Sequence, residues 1–272
     1  MFSLATDAAP GRPNEDFAIV TPHLAVVVDG AGVPLRGCRH GVAWYAQQLA
    51  TQTVAALAGS PSRPLTEGLA QGIRGVAELH KDTCDLTDPS TPCAAIGILR
   101  VGTDFVDTLA LSDCAVVVET AEGPKITCDL AIEQHSAPEP VALAGLQFDT
   151  PEHRAALARL VESQTRTRNR EDGWWVAASD PDAAYQAMTS SYPTSTVRRM
   201  AAFSDGATRP VDQMSLYEWP AYLDLLDKLG PADLIALVRR IESEDPAGAR
   251  FPRTKRHDDA TVVQYVASSR NK

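Results

Sequence analysis

The sequence lacks the features that mark a secreted, membrane-spanning or disulfide-stabilised protein. Its 272 residues include five cysteines, an odd number, and no two of them form a Cys-x-x-Cys pair. This spacing argues against a zinc cluster or a disulfide framework and favours a reducing compartment. The N-terminus shows no basic segment followed by an apolar one, so no signal peptide is predicted. No apolar run approaches the roughly 18 residues of a membrane helix. We therefore expect a cytoplasmic protein without a membrane partner.

Positive charge is also scarce. The chain has 25 Lys and Arg residues and 35 Asp and Glu residues, which gives a formal net charge of −10. This balance argues against nucleic acid as a partner, because a phosphate backbone is bound mainly by clustered cations. The length and the 44% hydrophobic content fit one large domain over residues 1–272. The oligomeric state is left open.

The pattern of apolar residues predicts an α+β protein. Short β-rich segments follow one another at hairpin spacing, which indicates antiparallel strands rather than parallel crossovers. Strand-rich blocks bracket pairs of helices, so we predict a four-layer αββα sandwich of two antiparallel sheets flanked by helix pairs. The predicted strands are 2–6, 17–20, 24–28, 94–101, 105–111, 114–119, 125–130, 174–178, 200–204 and 260–266. The predicted helices are 38–58, 65–82, 151–163, about 180–189, 215–228 and 231–244, with a surface loop at 164–173.

Acidic residues recur at the ends of the predicted strands. Taken alone, an Asp-Gly pair after a strand is typical of a tight turn, because Gly supplies positive φ and Asp forms local hydrogen bonds. Several carboxylates that converge above a sheet edge would instead bind a hard divalent cation through oxygen ligands. The segments, in chain order, are Asn14-Glu15-Asp16, Asp29-Gly30, Asp205-Gly206 and Asp258-Asp259.

In this order the motifs resemble those of the type 2C protein phosphatases, the metal-dependent Ser/Thr phosphatase (PPM) family, in its bacterial type. A further segment, Leu111-Ser112-Asp113-Cys114, resembles the family's Gly-Asp-Ser, with Ser112 in the Gly position. The matching motifs extend over nearly the whole chain. No Cys-x₅-Arg or Gly-x-Ser-x-Gly signature occurs, which agrees with a reaction that needs no side-chain nucleophile. The family's fold is also a pair of antiparallel sheets between helix pairs.

The resemblance implies two Mg²⁺ or Mn²⁺ ions, with a third as a further possibility, and a role for each acidic residue. Asp29 would bridge two ions, with Glu15 and the Gly30 carbonyl completing one of them. Asp205 and Asp258 would complete the other, and Asp113 with Asp205 would hold the third. Asp16 would orient metal-bound water. A water shared by the two ions would then attack a phosphoester in line.

Two further catalytic candidates depart from the family pattern. Many members carry a phosphate-binding Arg four residues before the Glu15 position. Here that place holds Gly11, and Arg12 follows it, so Arg12 is the candidate phosphate ligand. Ala31 stands where eukaryotic members have a proton-donating His, and His40 is the candidate replacement. The alternative for His40 is a residue at the start of a helix, packed on Trp44.

Two other charged segments have open interpretations. Lys255, three residues before Asp258, could attract phosphate or could balance the nearby carboxylates. Asp180 precedes a short predicted helix, where it is an N-cap candidate, while some bacterial relatives place an additional metal-binding Asp in this region.

The sequence therefore predicts a metal-dependent phosphomonoester hydrolase whose default substrate is a phosphoserine or phosphothreonine protein. One alternative is a pseudophosphatase that binds a partner without turnover. Another is a phosphatase that acts on a small phosphorylated metabolite. The acidic residues at all core ligand positions disfavour the pseudophosphatase.

Overall fold

Two five-stranded antiparallel sheets form the centre of the structure, a computed structural model that describes residues 1–32, 38–136, 143 and 145–266. One sheet has the order β2-β3-β4-β5-β8 and the other has the order β1-β10-β9-β6-β7. The strands are β1 Phe2–Asp7, β2 Asp16–Val20, β3 Leu24–Ala31, β4 Cys93–Val101, β5 Phe105–Leu111, β6 Ala115–Thr120, β7 Gly123–Thr127, β8 Met188–Pro193, β9 Arg199–Phe203 and β10 Ala260–Tyr265.

Helices cover the outer face of each sheet. The helices are α1 Val42–Ala58, α2 Leu65–His80, α3 Ala131–Ser136, α4 Pro151–Thr167, α5 Asp205–Asp212 and α6 Trp219–Glu244, with 3₁₀ turns at Pro181–Gln186 and Thr194–Thr196. α1 and α2 pack on one sheet, and α5 and α6 pack on the other. The predicted four-layer αββα sandwich is confirmed. Among the described residues, no helix is both long and apolar enough to cross a membrane.

The core consists of three layers, and strand alternation assigns each side chain to its layer. In β3, Val26 and Val28 face α1 and α2, whereas Ala25 and Val27 face the second sheet. In β9 the same alternation turns Met200 toward the first sheet. Because successive residues of a strand point to opposite faces, the inner strands β3, β4 and β6 are apolar on both sides. This pattern decides which strand-end residues face the space between the sheets.

The helices on the second sheet differ from their predicted bounds. The predicted start at Ser215 is wrong, because Ser215 has a φ of 49° and the helix begins at Trp219 after Glu218. The predicted break at Gly230-Pro231 is confirmed: Gly230 has a φ of 77° and a ψ of 169°, which kinks α6 into two segments. Only glycine adopts that conformation without steric cost.

Other elements also differ from the sequence pattern. α4 continues to Thr167, so the first part of the predicted 164–173 loop is helical. Strand β8 was not predicted, and the predicted strand at 174–178 makes only isolated bridges through Trp174 and Ala177. The predicted helix at about 180–189 is a short 3₁₀ turn. Polar β8 is an edge strand with mostly exposed side chains, which explains why apolar alternation did not reveal it.

Candidate active site

The acidic motifs, separated widely in sequence, lie on one open cleft. Its acidic wall comes from the loop before β2, the end of β3, the turn after β5, the start of α5 and the loop before β10, and these segments contribute Glu15, Asp29, Asp113, Asp205 and Asp258. Gly30, Arg12 and His40 line the same cleft. The structure thus brings together eight of the nine residues selected from the sequence.

The ninth, Asp16, lies directly opposite Asp29 in the antiparallel pairing of β2 with β3. Asp29 has the same parity in β3 as Ala25 and Val27, and Asp16 has the same parity in β2 as Ala18, all of which face the space between the sheets. Directly opposed residues point to the same face. Both carboxylates therefore stand at the end of the layer between the two sheets.

Asp16 is held by hydroxyl groups from the second sheet. Its Oδ2 accepts hydrogen bonds from Ser204 Oγ at 2.7 Å and Thr261 Oγ1 at 2.8 Å, while its Oδ1 is buried without a hydrogen-bond partner. Burial raises the pKa of Asp16 to about 8, against the opposing effect of these two hydroxyls. With 4% of its surface exposed, Asp16 lies beside Asp29 and not on the cleft wall, so its role in orienting water stays a prediction.

The carboxylates on the cleft wall repel one another. Loss of water on burial raises the pKa of Asp29 well above its usual value, and the charges of Asp16 and Asp205 raise it further. The pKa of Asp113 rises to about 7, first through burial and then through the charge of Asp205. Burial and Asp258 also raise the pKa of Asp205, although a hydrogen bond with Asp29 opposes the shift. Carboxylates this close together need protons or cations between them.

Asp258 differs from the other acids because two cations contact it. Lys255 Nζ lies 2.9 Å from its Oδ1, and Arg209 Nη2 lies 3.0 Å from its Oδ2. Burial alone would raise the pKa of Asp258, but Lys255 and Arg209 hold it below its usual value. Of the two interpretations of Lys255, the structure supports the balancing of carboxylate charge.

Arg209 was not identified from the sequence. It is 1% exposed, and its Nη1 donates to Glu242 Oε1 at 2.5 Å. Glu242, which is 0% exposed, also accepts from Arg239 at 3.0 Å and contacts His257 Nδ1 at 2.8 Å. An arginine in a short, largely polar segment gives no sequence signal of burial. Its position is set by contacts with residues more than thirty positions away.

Asp259, next to Asp258, fixes the N-terminal side of the cleft. Its Oδ1 accepts from the Ala9 backbone N–H and its Oδ2 from the Glu15 backbone N–H, both at 2.7 Å. The loop that carries Arg12 and Glu15 is therefore held at both ends by one buried carboxylate. Arg12 itself is exposed on the cleft wall.

The glycines of the two Asp-Gly motifs do not form the tight turns that the sequence suggested. Neither has a positive φ: Gly30 lies within β3 and Gly206 within α5. A Cβ on Gly30 would lie 2.5 Å from the Glu15 carbonyl oxygen, and a Cβ on Gly206 would lie 1.9 Å from the Asp259 carbonyl oxygen. Glycine is required at both places because another backbone segment passes too close for a side chain.

Ser112 shows why the family motif has Gly at this position. Its φ of 66° lies in the left-handed region, where an L-residue with a Cβ is strained. The turn places Asp113 on the cleft, and Ser112 Oγ donates to Asp113 Oδ1 at 3.3 Å. The turn therefore holds a residue less suited to this backbone conformation than glycine.

The two remaining open interpretations also receive structural evidence. His40 stacks on Trp44 with ring centroids 4.3 Å apart, as the alternative interpretation expected, and its Nδ1 lies 3.5 Å from Cys38 Sγ. Asp180 is the N-cap of the 3₁₀ turn, since its Oδ1 accepts from the Asp182 backbone N–H at 2.9 Å.

Another wall of the cleft is formed by α4 and the segment that follows it. The apolar side of α4 packs in a small cluster of its own with Leu143, Ala156 and Leu160, and His153 Nε2 lies 3.0 Å from the Thr254 carbonyl oxygen. Among the side chains on this wall are those of Arg154, Arg166 and Arg170. The lining of the cleft therefore includes basic as well as acidic side chains.

The fold agrees with that of solved phosphatases along almost its full length. The catalytic domain of the serine/threonine phosphatase PstP, solved with two manganese ions, superposes with a TM-score of 0.56 at 16% identity, covering 97% of this chain and 96% of that one. This chain has the fold of the bacterial PPM Ser/Thr phosphatases.

Two other PPM-type structures give the same result. MsPP from Mycobacterium smegmatis has a TM-score of 0.56 at 17% identity, with 97% of both chains covered. Stp1 from Staphylococcus aureus has a TM-score of 0.56 at 12% identity, covering 98% of this chain and 95% of that one. No protein-family model and no curated protein matches the sequence.

Proposed function

We propose that the protein is a Mg²⁺- or Mn²⁺-dependent phosphomonoester hydrolase that acts on phosphoserine or phosphothreonine in proteins. The observation that carries this proposal is the convergence of Glu15, Asp29, Asp113, Asp205 and Asp258 on one cleft. These residues come from five separate segments of a fold that solved bacterial serine/threonine phosphatases share.

The residues on the cleft fit hard divalent cations. The ligand atoms are carboxylate oxygens and the Gly30 carbonyl, without thiolate or imidazole among them, and oxygen ligands suit Mg²⁺ and Mn²⁺. Burial, together with the charges of neighbouring carboxylates, raises the pKa of Asp29 and Asp113, and bound cations would relieve both effects. The PstP domain of the same fold was solved with two manganese ions.

Each acidic residue has a place in this proposal. Asp29 would bridge two ions, Glu15 and Gly30 would complete one, Asp205 and Asp258 would complete the other, and Asp113 would serve a third. When bound, the two ions would supply an activated water and neutralise charge on the phosphate.

The surrounding residues position the acids. Hydrogen bonds from Ser204 and Thr261 hold Asp16 in place. Asp259 accepts a hydrogen bond from the Glu15 backbone N–H and so fixes that backbone. Asp259 therefore sets the orientation of the first acidic motif.

In this arrangement Arg12 would bind the substrate phosphate. Lys255 is engaged with Asp258 at 2.9 Å, whereas Arg12 is exposed on the cleft and its charge acts on Glu15. A guanidinium can bind phosphate through two parallel hydrogen bonds. The other candidate from the sequence, His40, lies on the same cleft, but its ring stacks on Trp44 and its Nδ1 lies 3.5 Å from Cys38 Sγ, so it is not given the role of proton donor.

The shape of the cleft favours a protein substrate over a small metabolite. Sites for small molecules usually enclose most of the ligand, whereas this cleft is open and broad and has α4 along one side. The arginines on that side could contact the chain that flanks a phosphorylated residue. A metabolite phosphatase remains the second candidate because it would use the same acidic wall.

The test is Mn²⁺-dependent hydrolysis of p-nitrophenyl phosphate and of a phosphothreonine peptide. The wild type is compared with Asp29→Asn and with Asp233→Asn, which alters an exposed acid on α6. We expect Asp29→Asn to lower the rate on both substrates by at least about 100-fold, as when a main electrostatic group is removed. Asp233→Asn should match the wild type.

Three outcomes would change the assignment. A wild type without activity under either metal would support the pseudophosphatase. Hydrolysis of the small ester alone would favour a metabolite substrate. Full activity in Asp29→Asn would exclude the proposed bridging role.

A further inference from the structure

Four side chains that commonly bind metals meet beside the acidic cleft. They are Cys38, His40, His80 and Cys84, and one ligand atom from each lies within 4.8 Å of all the others. Cys38 and His80 are 2% and 1% exposed. None of the four belongs to the acidic motifs.

Four of the six distances between these atoms fit a tetrahedral ligand set, and the other two are at most 4.8 Å. Cys38 Sγ lies 3.5 Å from both His40 Nδ1 and His80 Nδ1, and Cys84 Sγ lies 3.4 Å from Cys38 Sγ and 3.4 Å from His40 Nδ1. Zinc–ligand bonds of about 2.0–2.3 Å place the ligands of a tetrahedron about 3.3–3.8 Å apart. The four contacts fall in this narrow range.

A disulfide does not account for the arrangement. The Cys38–Cys84 sulfur separation of 3.4 Å is far longer than a bond of about 2.05 Å. A disulfide would also not explain why two imidazole rings converge on the same sulfur atoms.

The fold brings the ligands together through the α1–α2 hairpin. His80 is the last residue of α2, and the turn continues so that the Cys84 N–H donates to the His80 carbonyl at 2.9 Å. Residues four apart in a helical turn share one face. Cys38 and His40 lie just before α1, which packs along α2.

Backbone N–H groups donate to both sulfur atoms. The His40 backbone N–H donates to Cys38 Sγ at 3.4 Å, and the Arg39 backbone N–H donates to Cys84. Two thiolates, two neutral imidazoles and a divalent cation sum to zero charge, which limits the cost of burial. Trp44 stacks on His40 and fixes its ring.

We propose that Cys38, His40, His80 and Cys84 bind a structural zinc ion that ties the start of α1 to the end of α2. A tetrahedral S₂N₂ site selects zinc among common cellular metals. The ligand pattern is Cys-x-His followed by His-x₃-Cys, which differs from the Cys-x-x-Cys pairs that usually indicate zinc. In this role His40 is a ligand and not a proton donor.

The test uses the reduced full-length protein. We expect about one zinc ion per chain in addition to any Mg²⁺ or Mn²⁺. Replacement by Co²⁺ should give a thiolate-to-cobalt charge-transfer band and tetrahedral d–d bands. The double variant Cys38→Ser/Cys84→Ser should lose the charge-transfer band. Its zinc affinity should fall at least about 100-fold, since loss of outer partners alone costs about 10- to 100-fold.

Two controls separate this site from the acidic one. Cys128→Ser, at a half-buried cysteine outside the cluster, and Asp29→Asn should both keep the cobalt–thiolate band. The spectrum of the wild-type protein tests the proposal even if the variants do not fold. Its lack of a thiolate band, or a band that persists in the double cysteine variant, would overturn the proposal. A Cys38–Cys84 disulfide in zinc-free protein isolated under reducing conditions would also overturn it.

Discussion

Arg209 donates a hydrogen bond of 3.0 Å from Nη2 to Oδ2 of Asp258 while its Nη1 binds the fully buried Glu242. One guanidinium therefore links the candidate metal ligand in the loop before β10 to the outer helix α6. The stability of the helical layer and the position of Asp258 depend on the same side chain.

Arg209→Met should destabilise the protein and impair activity together. It leaves Glu242 buried with fewer partners and frees Asp258, and breaking a buried ion pair costs about 3–5 kcal/mol. Because Arg239 and His257 still contact Glu242, we expect the lower end of this range in urea unfolding. Arg240→Met, at an exposed position of the same helix, should change the unfolding free energy by less than about 0.5 kcal/mol. Equal losses in both variants would contradict the linking role of Arg209.

Asp29→Asn should have opposite effects on stability with and without metal. In EDTA the substitution removes the charge of one of several crowded carboxylates. We therefore expect the free energy of unfolding to be about 0.5–2 kcal/mol higher than in the wild type. With Mn²⁺ at 100 times its dissociation constant, the wild type should gain about 2.7 kcal/mol, and the variant should gain little. Thermal unfolding under the two conditions measures both effects. A variant that Mn²⁺ stabilises as much as the wild type would rule out Asp29 as a principal ligand.

Gly206→Ala should disturb the site through a steric clash. The new Cβ would lie 1.9 Å from the Asp259 carbonyl oxygen, so the loop with Asp258 must move. We expect overpacking to lower the free energy of unfolding by about 1–3 kcal/mol and the proposed phosphatase activity to be lost. Gly59→Ala is the matched control, because its Cβ meets only Ala55 O at an ordinary 3.4 Å and its φ is −72°. Unchanged activity in Gly206→Ala would show that the loop position is not critical.

Ser112→Gly should stabilise the protein. A left-handed backbone costs a non-glycine residue about 1–2 kcal/mol, and Ser112 has a φ of 66°. Loss of its 3.3 Å hydrogen bond to Asp113 offsets part of the gain, so we expect about 1 kcal/mol in chemical denaturation. Ser163→Gly, within α4, should instead cost about 0.5 kcal/mol. Destabilisation at both sites would contradict the strain at Ser112.

Asp245→Asn should weaken the loop that leads to Lys255 and Asp258. Asp245 accepts from the Phe251 N–H at 2.9 Å and from Arg253 Nη1 at 3.0 Å. Although its partial burial acts the other way, these bonds and those from Arg250 and Ala249 hold the pKa of Asp245 below its usual value. We expect a loss of about 2–3 kcal/mol at neutral pH, as for hydrogen bonds to a charged group.

The pH dependence of this effect has a definite sign. A carboxyl group with a lowered pKa in the folded state stabilises the protein above its unfolded pKa, and this contribution is lost as pH falls through the folded value. The difference between wild type and Asp245→Asn should therefore be constant near neutrality and shrink below about pH 4. A difference that grows on acidification would contradict the assignment. Asp233→Asn is the exposed control.

The sequence predicted the four layers and the converging acids because both depend on local patterns. Apolar alternation identified nine of the ten strands in the described part of the chain within a few residues. The order of the acidic motifs, through its resemblance to a known family, supplied the long-range arrangement. β8 was missed because its exposed edge has no apolar alternation. Ser215 was selected as a cap on spacing alone, but its positive φ sets it outside the helix.

The remaining parts of the site depend on contacts that no local pattern encodes. Gly30 and Gly206 look like turn residues in sequence, and only the neighbouring backbone shows why they lack a side chain. Arg209 and Asp259 act through partners far away in the chain. The same holds for Cys38 and His80, which lie 42 positions apart and become neighbours only when α1 packs on α2.

The contact of Asp259 with the Ala9 and Glu15 backbone has a consequence for biosynthesis. The partners are separated by 250 and 244 positions, and β10 inserts between β1 and β9. During translation, the segment that carries Arg12 and Glu15 must wait for residues 258–265 to leave the ribosome before it can be fixed. Contacts this remote in sequence form late in folding. The acidic cleft would therefore stay incomplete in the nascent chain until β10 is inserted between β1 and β9.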